Sequence, residues 1–174
     1  TSLDKRWVIT PCGGIDKIGS FVALFGGNRL DIAVFTDFRT GVKNKVKNWE
    51  SLGILRHDRT FLAGIYAGQE EADVEDVLGR DLYVELVNEC YNLLKKHQRI
   101  PASKPANASA MVVEEVAAHF AGFPAGSPMF DHYAPATYLV ENASKFRGSL
   151  PGMSDALNRF ERLFKDLNRL LPKQ

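Results

Sequence analysis

Cysteine is scarce in this chain. Cys12 and Cys90 are the only two, and neither has a second cysteine or a histidine at metal-ligand spacing. That excludes a disulfide framework and a thiolate zinc site, and it predicts a reducing, cytoplasmic setting. The four histidines (His57, His97, His119, His132) show neither HxH nor HxxxH spacing, so a histidine zinc site is not expected either. No apolar run is long enough to span a bilayer, and there is no leader-like or lipidation motif, so no membrane role is expected. GxSxG, Walker A and GxGxxG motifs are missing, as is a Cys/His couple, which disfavours covalent catalysis and the common nucleotide-binding loops. The net charge is only +1, so no bulk polyelectrolyte partner follows from charge alone.

The rest of the composition is that of an ordinary globular chain: 174 residues, 45% hydrophobic and 25% charged. The chain opens at Thr1 and enters an apolar stretch by Trp7, which reads as a fragment of a longer protein. Charge is unevenly placed. Six basic residues (Arg39, Lys43, Lys45, Lys47, Arg56, Arg59) face two acidic ones between positions 39 and 59, whereas positions 70–89 carry eight acidic residues against Arg80 alone. A basic element beside an acidic pocket suits a metal-dependent enzyme acting on a polyanion; two solvated faces are the plainer reading.

Strand and helix patterns alternate in the first half. Trp7-Val8-Ile9-Thr10 reads as a short buried strand, followed by a Pro11-Cys12-Gly13-Gly14 turn. A helix from Asp16 carries Ile18, Phe21, Val22 and Phe25 on one face and ends at Gly26-Gly27-Asn28. Residues 30–35 and 60–66 read as further strands, separated by a polar helix over 42–52 with lysines at 43, 45 and 47. That order predicts a parallel α/β sheet. The second half reads as helical: an apolar stripe of Leu82, Leu86, Val87, Cys90 and Leu94 with Asp81 as cap, then Val112, Val113, Val116, Ala117 and Phe120, then a helix with Pro135 in its first turn. The Pro/Ala/Ser/Lys stretch 98–108 is the expected mobile segment or lobe boundary. Leu157, Phe160, Phe164, Leu167 and Leu171 recur at 3-4 spacing behind Ser154, a terminal amphipathic helix that needs a partner surface. The expected division is an α/β core over 1–97 and a helical lobe over 98–174.

The chemistry-bearing pattern is acidic. Asp37 closes the apolar run Ile32-Ala33-Val34-Phe35-Thr36, at the carboxyl end of a strand, where open α/β sheets place their ligands. Glu70-Glu71-Ala72-Asp73-Val74-Glu75-Asp76 follows the next strand. If extended, it points Glu71, Asp73 and Glu75 to one face, roughly 6–7 Å apart; if helical, it pairs Glu71 with Glu75 and Asp73 with Asp76. Converging carboxylates suit Mg²⁺ or Mn²⁺, and the plainer alternatives are a turn cap for Asp37 and a solvated helix start for the run. The turn at Pro11–Lys17 either holds phosphate on backbone N–H groups or is a tight turn capped by Asp16. His132, within Phe130-Asp131-His132-Tyr133, reads as a packing or supporting residue, and Cys90 as a core thiol.

Several of these stretches resemble one family. Trp7-Val8-Ile9-Thr10-Pro11-Cys12-Gly13-Gly14-Ile15-Asp16-Lys17-Ile18, Ala33-Val34-Phe35-Thr36-Asp37 and Glu71-Ala72-Asp73-Val74-Glu75-Asp76-Val77-Leu78 are similar to the Toprim domain of OLD-family (overcoming lysogenisation defect) nucleases. Phe130-Asp131-His132-Tyr133-Ala134-Pro135-Ala136 and Arg159-Phe160-Glu161-Arg162-Leu163-Phe164 resemble the helical part of that region. The resemblance implies a Toprim-like parallel-sheet core and cation-dependent DNA cleavage. Asp37, Glu71, Asp73 and Glu75 would be metal ligands, with Asp37, Asp73 and Glu75 catalytic. Lys43, Lys45 and Lys47 would track the DNA backbone without sequence preference. ATP would enter only through a separate N-terminal ATPase domain. Two departures stand out: no strand bearing the family's first glutamate precedes Trp7, and the usual DxD is Asp37-Phe38-Arg39, with a cation at the second acidic position. The alternative from a different class is a catalytically degenerate Toprim-like module that dimerises through its terminal helix; a primase or topoisomerase part is a third, weaker fit.

Overall fold

The computed structural model describes residues 1–27, 30–93, 98–146 and 150–172. Asn28, Leu94 and His97, which the sequence patterns invoke, lie outside these residues. The described residues are mixed α/β, mostly helical, with one two-stranded parallel sheet. By contacts the chain divides into residues 1–74 with 159–174, and residues 75–158. The sequence drew its line at 97/98. The line lies elsewhere because the helix over 80–90 spends its apolar face on the helices after it, and the end of the chain packs with the beginning.

The first unit is a βαβ arrangement. Strand β1 (Val34–Thr36) pairs in parallel with β2 (Thr60–Leu62), Val34 against Thr60 and Phe35 against Phe61. Between them in sequence come helix α2 (Val42–Ser51) and a short 3-10 turn, the crossover a parallel pair requires. Helix α1 (Ile15–Gly27) precedes β1. Its Ile18 and Val22 bury with Val34, Trp49 and Leu55 into one core, to which Ile15, Ile32, Val46 and Ile54 add their partly buried side chains. Asp16 stands inside the first turn of α1 rather than capping it, and its carboxylate takes Lys45.

All three expected strands change; the second, expected over 30–35, is a strand only at Val34–Thr36. Trp7-Val8-Ile9-Thr10 forms no strand, and Val8 and Ile9 are 86% and 75% exposed. A β-branched run becomes a buried strand only where a neighbouring strand takes up its backbone groups, and none does so among the described residues. The third strand ends at Leu62, because the chain turns at once into helix α3 (Ala63–Ala67). Its Gly64 lies so close to the backbone at Gln69 that a Cβ would come within 2.6 Å of the Gln69 carbonyl oxygen.

The second unit is helical. Helix α4 (Val74–Leu78) leads into it, and α5 (Arg80–Cys90) is packed by α6 (Val112–Ala121) and α7 (Ala134–Glu141), the last with a proline in its first turn as expected. Tyr83, Val87, Val112 and Val116 are fully buried in one cluster. Tyr91, Phe120 and Phe130 extend it as a group of tilted and edge-on rings, a favourable arrangement for aromatic quadrupoles. The N-cap of α5 is Gly79, not Asp81. Cys90 is half-buried, and that burial pushes its thiol pKa up, as for an inert core thiol. The 98–108 stretch is irregular but tied down. Buried Asn88 bonds both backbone groups of Ile100, and Arg80 grips Glu115 and the carbonyls of Pro101 and Ala102.

Helix α8 (Met153–Asn168) starts in the second unit and ends in the first. Ser154 lies within its first turn, since the Ala156 N–H already bonds the Gly152 carbonyl. Part of its partner surface lies in its own chain. Leu163 is buried, Asp166 accepts a bond from the Tyr66 hydroxyl at 3.1 Å, and Asn168 bonds the backbone of Ser2 and Asp4.

The close approach at Gly64 gives a direct expectation. Gly64→Ala places a methyl group against backbone and should cost about 1–3 kcal/mol, the usual penalty for forcing atoms into packed space. Urea denaturation of the two proteins measures it, and equal midpoints would contradict the packing described.

Candidate functional site

The site begins with a backbone contact. Just past β1, Phe38 pairs with Ala72 as an isolated antiparallel bridge: the Phe38 N–H donates to the Ala72 carbonyl at 2.7 Å, and the Ala72 N–H returns a bond to the Phe38 carbonyl at 2.9 Å. Both residues are buried, Ala72 completely. Residues flanking such a pair lie opposite each other, so Asp37 meets Asp73 and Arg39 meets Glu71, all four pointing to the face that Phe38 and Ala72 turn away from.

The side-chain contacts agree with that register. The Arg39 guanidinium donates to both carboxylate oxygens of Asp73, at 3.1 and 3.3 Å. The Asp73 side chain is 10% exposed and that of Arg39 is half exposed, so the acid is held inside and the cation reaches out to solvent. Glu71 Oε1 accepts the Thr40 N–H at 2.8 Å and the Thr40 hydroxyl at 2.6 Å. The Thr40 hydroxyl, then its N–H, and more weakly the Arg39 charge hold the Glu71 carboxyl below its usual range. Asp37 Oδ1 accepts the N–H of Val74, the first residue of α4. That satisfies one of the donors a helix start leaves over, at a distant element rather than at the turn after the strand that the sequence reading had Asp37 cap.

The rest of the acidic run goes elsewhere. Glu75 belongs to the second unit, where its Oε1 lies 2.8 Å from His132 Nδ1. His132, read from the sequence as a packing or supporting residue, is further anchored because its carbonyl accepts the Tyr83 hydroxyl. Asp76 accepts the N–H of Val112, at the first turn of α6. The run is neither wholly extended nor wholly helical. It is extended around Ala72 and helical from Val74, so Glu71 and Asp73 share a face and the Glu71–Glu75 helical pair does not form.

Helix α2 separates the three lysines. At 43 and 47 they share one side, one turn apart, while 45 points the other way and pairs with Asp16. Lys43 also lies over the Phe38 ring, 4.9 Å from its centroid, which brings a cation to the back of the Phe38–Ala72 bridge. Sequence reasoning missed Thr40 and the use made of Arg39. The signal for Arg39 was present, because residues two apart on an extended stretch share a face, and Asp37-Phe38-Arg39 is such a pair.

As a ready-made metal centre the residues fall short of two cations. Among the described residues no group of three or more His, Cys, Asp and Glu side chains is gathered for a metal ion. Asp37 and Asp73, opposite each other across the bridge, are the carboxylates that could take part in holding a single hard cation, since magnesium commonly takes one or two carboxylates and fills its shell with water and substrate phosphate. No protein-family model, curated protein or solved structure matches the chain.

Because Thr40 holds the Glu71 carboxyl below its usual value, that contact stabilises the fold above the unfolded pKa near 4.5 and loses its effect as pH falls through the lower folded value. Thr40→Val removes the hydroxyl and keeps the N–H. An NMR titration should find the Glu71 pKa raised toward 4.5 in the variant. An unchanged titration would mean that the hydroxyl contact is not formed.

Proposed function

We propose that this chain is the Toprim-like part of an OLD-type endonuclease, and that it supports cation-dependent hydrolysis of phosphodiester bonds in DNA. The observation that carries the reading is the Phe38–Ala72 bridge, which sets two carboxylates, Asp37 and Asp73, opposite each other just beyond the carboxyl end of a parallel strand. Like charges in that arrangement repel unless a cation joins them. A bound Mg²⁺ or Mn²⁺ would supply charge neutralisation at the phosphate and an acidified water.

The protein groups then have definite tasks. Asp37 and Asp73 hold the cation, and Glu71 orders the turn at Thr40 beside them. Arg39 offers a planar fork suited to a phosphate, and on releasing Asp73 it would bear on the charge that develops on the phosphoryl oxygens. Lys43 and Lys47, exposed on one side of α2, bind DNA phosphates without reading bases. Glu75 stays with His132 and is not needed as a ligand. ATP dependence would come from a separate ATPase domain.

One observation favours the second reading, a degenerate module with no cation. Arg39 already neutralises Asp73 and so does the work of a metal ion. Manganese calorimetry on the chain and on Asp73→Asn and Arg39→Ala separates the two. A catalytic centre predicts saturable binding by the unaltered chain, weakened at least about tenfold in Asp73→Asn and kept or tightened in Arg39→Ala. Binding that appears only in Arg39→Ala would support the degenerate module, and no binding in any of the three would remove the cation from the account.

A further inference from the structure

Arg80–Glu115 and Arg39–Asp73 are two arginine–carboxylate pairs built in different ways. In the second unit, Arg80 donates to Glu115 through both Nε and Nη2, with a shortest bond of 2.7 Å. The two side chains are 16% and 5% exposed, and the same guanidinium holds the carbonyls of Pro101 and Ala102. That pair is structural, because breaking it would strand a buried carboxylate. In the first unit, Arg39 Nη2 is shared between the two Asp73 oxygens, at 3.1 and 3.3 Å. Both lengths exceed the usual value of about 2.7–2.9 Å between a charged donor and a charged acceptor. The Arg39 side chain is 50% exposed, against 10% for Asp73. Glu71, which Arg39 meets across the bridge, already takes the Thr40 hydroxyl and N–H at 2.6 and 2.8 Å. The acid is therefore fixed and withdrawn, and the cation over it is held by long bonds and open to solvent.

We propose that Arg39 is a phosphodiester-responsive gate on the cation position: it covers Asp73 while no phosphodiester is bound, and turns to the phosphate when one arrives. The inference rests on the reading of Asp37 and Asp73 as a cation site and adds the regulation of that site. A phosphodiester can approach Arg39 from solvent without the chain opening. The planar guanidinium fork can set two parallel bonds on phosphate oxygens, a stronger arrangement than one nitrogen shared at 3.1 and 3.3 Å. Asp73 cannot follow it, because the neighbouring Ala72 is tied to Phe38 through both of its backbone groups. A carboxylate left nearly buried and unmatched then calls for another positive charge, which the divalent cation supplies. In the absence of phosphodiester, cation affinity is lowered by the fraction of molecules in which Arg39 covers Asp73. Cation and phosphodiester consequently bind cooperatively, each raising the affinity for the other by the same factor.

The probe is dimethyl phosphate, a phosphodiester without bases, with sodium chloride at equal ionic strength as control. In the unaltered chain without divalent cation, dimethyl phosphate should move the Arg39 Nε–Hε NMR signal and sodium chloride should not. Manganese calorimetry should then find affinity raised at least about fivefold by dimethyl phosphate. Arg39→Ala, checked as folded by its amide spectrum, should bind manganese more tightly than the unaltered chain does without dimethyl phosphate, and should gain less from adding it. An Arg39 signal that dimethyl phosphate leaves in place would overturn the gate, whether or not the variant folds. Manganese binding with the same gain in both proteins would also overturn the gate and leave the cation site standing. No manganese binding by either protein, with or without dimethyl phosphate, would remove the cation site and the gate with it.

Discussion

Two reciprocal backbone hydrogen bonds between Phe38 and Ala72 are the constraint on which the candidate chemistry depends. They close a loop of more than thirty residues, and they do so at buried positions where an unpaired amide would be costly. Everything polar nearby follows from that register. Asp73 is carried to Arg39, Glu71 to Thr40, and Asp37 to the N–H that opens α4. A one-residue slip would send all four charged side chains to the opposite face, so the bridge decides which side chains share this face.

Within that frame the interest lies in competition for Asp73. Its carboxylate is nearly buried and its charge must be met by a cation. Arg39 meets it from inside the chain, and a divalent ion with Asp37 would meet it from outside. The two arrangements use the same oxygens, so the free energy separating them is a difference between a half-exposed ion pair and a hydrated metal site. A bound phosphate that drew Arg39 away would favour the second arrangement. The departure from the DxD pattern thus links the catalytic and the degenerate readings as two occupants of one position.

Local chemistry made much of the helical structure legible. The apolar spacing of Val112, Val116 and Phe120 marks α6, Pro135 marks the start of α7, and the polar 42–52 pattern matches α2 within a residue. What sequence could not carry were long-range partnerships. Trp7 to Thr10 has the composition of a buried strand but forms none, and a run cannot reveal whether a neighbour will be there. Ser154 is a good cap residue, yet the helix starts before it, because Gly152 adopts positive φ close against Leu82 and its carbonyl opens the helix. The acidic run read as one cluster because its members are close in sequence. In the fold, Asp73, Glu75 and Asp76 satisfy Arg39, His132 and the Val112 N–H in turn. The sequence singled out Asp37 and Asp73 as ligands; what sets them opposite each other is the backbone pairing of Phe38 with Ala72, which no side-chain pattern encodes.

The central claim is that this bridge makes Asp37 and Asp73 into one cation site. Paramagnetic broadening by substoichiometric Mn²⁺ in an amide-resolved NMR spectrum tests it most directly, because it reports where the ion sits. The account predicts that the amides of residues 37–39 and 72–74 broaden first and together, while those of Asp81 and Glu85 on α5 stay sharp. Broadening spread over all the acidic residues, or centred on α5, would contradict it.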